Sequence, residues 1–184
     1  MKNRITAREI AIGGVILAIM ILSQFFKNMS VYITGPIVNV CLIIATLVSG
    51  LLIGVILSII APITSFLITG APIIAAIPLI MPAIMVGNII LCVCVHMFNR
   101  YMKNRLGLPV GLIAGSVLKA LFMGVVISNC LLVYITTGLP EAAINMAKTT
   151  FSVTQLTTSL IGSAVAYVIW LIAGKYLKSR AGEK

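Results

Sequence analysis

Apolar residues run along this chain in long blocks separated by short polar breaks, the pattern of helices that cross a bilayer. The first block covers 10–26, after Lys2, Arg4 and Arg8. It is long for the apolar stretch of a secretory signal, and Ser23-Gln24-Phe25-Phe26-Lys27 has no small-residue cleavage site, so it is read as helix 1. The break Lys27-Asn28-Met29-Ser30 follows, and then Thr34-Gly35-Pro36, where Pro36 suits a helix start and Thr34 a cap.

Residues 37–68 are predominantly apolar. As a single helix they would be about 48 Å long, more than a ~30 Å hydrocarbon core requires. Ser49-Gly50, followed by Gly54, offers a break, so two short helices are expected, over 36–48 and 51–68. After Thr69-Gly70-Ala71-Pro72, helix 4 is expected over 76–98 with Pro78 and Pro82 early in it. A basic loop (NRYMKNRLG) covers 99–107, helix 5 covers 108–136, and a loop with a short interfacial helix opened by Pro140-Glu141 covers 137–150. Helix 6 covers 151–174, and a basic tail ends the sequence.

Charge placement tests the split. With six spans, Lys2, Arg4, Arg8, Arg100, Lys103, Arg105, Lys175, Lys178, Arg180 and Lys184 share one side, against Lys27 and Lys148 on the other, with Lys119 inside helix 5. If 36–68 were one span, the first side would hold Lys2, Arg4, Arg8 and Lys148, four against eight on the other. The positive-inside rule therefore selects an all-α integral membrane protein: one six-helix domain over residues 1–184, both termini cytoplasmic. Composition agrees, with 61% hydrophobic and 9% charged residues where a soluble domain has about 45–50% and 25%. A water-soluble globule, a disordered chain and a disulfide scaffold are excluded. The net charge of +10 is explained by topology better than by nucleic acid, because the basic residues cluster at the ends of apolar blocks.

Several chemistries find no residues to carry them. The acids are Glu9, Glu141 and Glu183, none inside an apolar block. There is no Walker-type loop for ATP hydrolysis, and the single histidine, His96, reads as interfacial. Cys92 and Cys94 are two apart and point to opposite helix faces; with Cys41 and Cys130 they read as buried thiols, with no metal or cofactor expected. No paired carboxylates, metal cluster or activated nucleophile stands out, so no enzymatic activity is expected. A proton-coupled carrier would normally need an ionisable relay inside the bilayer, where only Lys119 lies. Sodium coupling through carbonyls and hydroxyls stays open.

Four features bear on function. Ala7, Ala11, Gly14 and Ala18 fall on one face of helix 1, either to pack within the bundle or to dock a second protein. Lys119 lies about 18 Å into helix 5, where it either snorkels to the interface or offers a counter-charge to a substrate carboxylate or phosphate, with Phe122, Met123 and Val126 as an apolar wall. The amides Asn39, Asn88, Asn129 and Gln155 come from four different helices; they suit interhelical hydrogen bonds or the sparse polar set of a ligand pocket. Ser152, Ser159 and Ser163 share roughly the face of Gln155. The turn-rich segments Tyr32-Ile33-Thr34-Gly35-Pro36 and Thr69-Gly70-Ala71-Pro72 either connect spans or close over a site.

These features together resemble the substrate-binding S components of energy-coupling-factor (ECF) vitamin transporters. The resemblance rests on the length, the six spans and the basic ends, on the stripe Ala7/Ala11/Gly14/Ala18, on SGLLIGVILSIIAPITSFLITGAP (49–72), and on QLTTSLIGSAVAYVI from Gln155. It implies a cell-membrane receptor, in a bacterial plasma membrane, that captures a vitamin or similar micronutrient and docks through the stripe on a T subunit carrying two ATPases. It also implies a site toward the external half, lined by helices 4–6 and covered by the loops after helices 1 and 3. Asn88, Lys119, Asn129 and Gln155 match those regions by position. The alternatives are a stand-alone secondary carrier or channel, and a structural or assembly subunit.

Overall fold

A computed structural model describes residues 6–27, 30–102, 106–134, 138 and 140–181. The described elements are helical: α1 (Ala7–Gln24), α2 (Val31–Ser49), α3 (Leu51–Thr69), the short α4 (Pro72–Ala76), α5 (Ile80–Tyr101), α6 (Gly107–Met123), α7 (Leu132–Tyr134), α8 (Glu141–Thr149) and α9 (Gln155–Ala181). A π-helical stretch, Gly124–Leu131, joins α6 to α7, and a second, Thr150–Thr154, joins α8 to α9. Among the described residues, six helical segments are long and apolar enough to cross a membrane: Ala7–Gln24, Val31–Ser49, Leu51–Thr69, Ile80–Tyr101, Gly107–Leu131 and Glu141–Gly174.

Local chemistry sets most boundaries. Thr6 caps α1 in a capping box: its hydroxyl accepts from the Glu9 N–H at 3.3 Å, and its own N–H donates to Glu9 Oε2 at 2.7 Å. The divide between α2 and α3 falls at Gly50, whose φ of +86° is open to glycine and strained for other residues. Gly70, at φ +58°, ends α3 with its N–H on the Phe66 carbonyl at 2.8 Å.

Three expectations differ. Helix 2 starts at Val31 rather than at Pro36, because Ser30 supplies the N-cap and its carbonyl accepts from Ile33 and Thr34. Pro36 sits inside the helix, where it lacks an N–H. It is buried where Gly162 of α9 passes so close that a Cβ there would lie 2.8 Å from the Pro36 carbonyl oxygen. The expected helix 4 is divided: α4 ends at Ala76 and α5 begins at Ile80, which leaves Pro82 in its first turn, where an N–H would find no partner anyway. The segment expected as a separate interfacial helix, α8, instead runs through the π-helical turn into α9.

α2 is the hub, packing against α1, α3, α5 and α9, while α5 and α9 both pack on α6. Glycine lets the helices close in: a Cβ on Gly115 of α6 would meet Leu91 and Cys94 of α5 at 3.0–3.2 Å. The hydroxyls of Ser159 and Ser163 in α9 meet that of Ser116 in α6, at 3.0 and 2.9 Å. This part of the hydroxyl stripe serves packing between helices. The outer faces are apolar, with Val15, Leu22, Leu67, Leu121, Leu171 and Ile172 all exposed. Cys41 and Cys92 are buried, but Cys94 is only partly covered and Cys130, within the π-helical stretch, is exposed, against the expectation of four buried thiols.

Candidate functional site

A cavity of about 370 Å³ lies toward the end of the bundle opposite the α1 N-terminus. Its wall combines the C-terminal end of α1, the first half of α2, the second half of α3, α4, the first half of α5, Lys119 of α6, and the α8–α9 junction. Most of the lining is apolar, with Val38, Pro62, Ile74, Ile84 and Phe151 among it.

The polar lining is sparse and specific. Asn39, Asn88, Lys119 and Gln155, drawn from four helices, all face this cavity. Lys119 is 2% exposed, and its Nζ donates to Asn39 Oδ1 at 2.6 Å, a charge-assisted bond between α6 and α2. The lysine therefore ends inside the bundle rather than snorkelling to its surface. That bond commits the Asn39 oxygen and leaves its Nδ2 as a donor. Asn88, 3% exposed, makes no side-chain hydrogen bond among the described residues although it lines the cavity. Gln155 is half-buried at the start of α9. Neither Asp nor Glu lines the cavity.

The residues that sequence reasoning missed come mostly from the ends of α1 and α3. Gln24, 2% exposed, donates through Nε2 to the Ala61 carbonyl at 3.1 Å, and its Oε1 is buried without a partner. Lys27, just past α1, donates to Ser65 Oγ at 2.5 Å, and burial pushes its amine below the ordinary lysine value. These two contacts tie the end of α1 to α3 beside the cavity. The signal for Gln24 was present in the sequence, since an amide closing an apolar helix needs a partner.

Asn129 is not part of this cavity. It is exposed in the π-helical stretch after α6, on a shallow groove shared with Lys148 and Ser152. Ala7, Ala11, Gly14 and Ala18 are all exposed on the outer face of α1, and a Cβ on Gly14 would meet nothing within 4 Å. Its neighbour Gly13 faces inward instead, where a Cβ would lie 2.9 Å from Ile53 Cγ2 of α3. No group of three His, Cys, Asp or Glu side chains able to hold a metal occurs among the described residues. Neither a family model, a curated protein nor a solved structure matches this chain.

Proposed function

We propose that this chain is the membrane-embedded, high-affinity substrate-binding (S) subunit of an ECF-type ABC importer for a vitamin or related micronutrient. It sits in the cell membrane, a bacterial plasma membrane, with both termini cytoplasmic, and works with a T subunit and two ATPases. The cavity captures the solute from outside, and the outer face of α1 docks on the coupling module. The chain supplies recognition, and its partners supply the energy.

One observation carries the reading: a mostly apolar cavity lined by the buried lysine Lys119 and by the buried amide Asn88, which makes no side-chain hydrogen bond among the described residues, in a chain whose described residues include six helices long and apolar enough to span a membrane. Buried polar groups without protein partners are costly, and a bound solute that satisfies them recovers that cost. The exposed small face of α1 supports the second half of the reading, because small residues let another helix approach closely.

Co-expression with a coupling module tests the proposal. The tagged chain is expected to co-purify with a T subunit and two ATPases, and solute uptake into vesicles is expected to require ATP and all partners. Accumulation of a solute by the chain alone in sealed vesicles, without nucleotide, would replace this reading with a stand-alone carrier.

A further inference from the structure

Both ionisable groups that the cavity wall presents as cations, Lys27 and Lys119, come without a carboxylate in that wall. Cys92, buried in α5, offers no carboxylate either: its thiol pairs with Ser58 Oγ at 3.4 Å and donates to the Leu42 carbonyl at 4.0 Å. Lys119 has three N–H donors and one protein acceptor among the described residues, Asn39 Oδ1. Water entering the cavity that Lys119 lines would solvate the remaining donors. A ligand that fills it expels that water and leaves the ammonium dependent on whatever the ligand offers.

That condition selects the ligand. A cation would add like charge beside a buried ammonium. A neutral solute offers at most acceptors, not a counter-charge, to the ammonium it seals in a drier medium. A doubly charged phosphate ester demands more than one cation and several donors around three oxygens, whereas Lys27 is tied to Ser65 Oγ at the α1–α3 contact, which leaves Lys119 with the cavity-lining amides Asn39 and Asn88. One ammonium and two amide donors match the single charge and two oxygens of a carboxylate. The apolar wall of Val38, Ile74, Ile84 and Phe151 suits a compact aliphatic or aromatic body, and a volume of about 370 Å³ lies near the small end of ligand pockets.

We infer that the cavity binds a small monocarboxylate, its acid group held by Lys119, Asn39 and Asn88 and its body against the apolar wall. This inference rests on the reading of the chain as a binding subunit and names the class of solute for that site.

The test uses the full chain, purified in mild detergent at neutral pH, with 4-acetamidobutanoate and its neutral isostere 4-acetamidobutanamide as probes. The acid is expected to raise the thermal midpoint with dose, and the amide to leave it unchanged. Lys119→Met is expected to weaken the acid's apparent affinity at least ~30-fold, the loss typical of truncating one side of a buried charge pair. Asn88→Leu, which strands no protein group, is expected to weaken the acid's binding as well, which guards against a folding defect in the first variant. No effect of the acid, an equal effect of the amide, or full binding by Lys119→Met overturns the inference. Mass spectrometry of solutes retained through purification separates the two levels. A retained acid that Lys119→Met loses supports the carboxylate. A stoichiometric neutral or cationic solute overturns the carboxylate and leaves the binding-subunit reading standing, whereas failure to recruit ATPases overturns that reading alone.

Discussion

Lys119 Nζ and Asn39 Oδ1 meet at 2.6 Å across 80 positions of sequence, joining α6 to α2 beside the cavity. A charge this deep needs its acceptor. Asn39→Leu leaves the ammonium without that partner and is expected to lower stability by about 1.5–3 kcal/mol. Lys119→Met removes the charge itself and is expected to cost less, and adding it to Asn39→Leu is expected to restore part of the loss. Thermal unfolding of the four proteins, wild type included, measures this cycle.

A close approach of α2 and α9 depends on Gly162, where a Cβ would lie 2.7 Å from Asn39 Cβ and 2.8 Å from the Pro36 carbonyl oxygen. Neither obstacle is the far end of a flexible side chain. Gly162→Ala is therefore expected to cost about 1–3 kcal/mol. Because it pushes on Asn39, it is also expected to weaken solute binding, which a titration of the purified variant would read.

Under the proposed reading, two adjacent glycines on α1 should separate folding from docking. Gly14→Leu adds its side chain to open space and is expected to leave the melting temperature and solute binding unchanged while abolishing co-purification with the coupling module. Gly13→Leu collides with Ile53 and is expected to destabilise the α1–α3 contact whether or not partners are present. Normal complex assembly by Gly14→Leu would remove the outer face of α1 as the docking surface.

Lys27 makes a pH-dependent contribution whose sign is fixed by its burial. Its amine is held below the ordinary lysine value in the folded chain, while the unfolded chain titrates near 10.4. Between those values the unfolded state binds more protons, so stability rises with pH through that window. Lys27→Met is expected to flatten this rise, which melting curves taken from neutral to alkaline pH would detect.

Much of the helical framework was legible from local properties. Block length and hydropathy marked six segments, and Gly50 marked the divide within 36–68, because a left-handed backbone there favours glycine. The capping box Thr6–Glu9, which sets the start of α1, was also present in the sequence but unread. Pro36 misled, since its burial against α9 is a contact with a residue far along the chain. The polar groups of the cavity were readable as residues that need partners. Which of them share a space was not: Asn39, Asn88, Lys119 and Gln155 converge, while Asn129 faces outward.

The sequence by itself determined the number of long apolar helices, their approximate ends and the depth of each polar group along its helix, because these follow from chain length and composition. Only the tertiary structure decided the rotation of each helix about its own axis. A helix that is apolar on every side carries little periodicity to distinguish its inner face from its outer one. Close glycine contacts such as Gly115 on Leu91 and Gly162 on Asn39 set those rotations, and with them the enclosure of Lys119 beside Asn39.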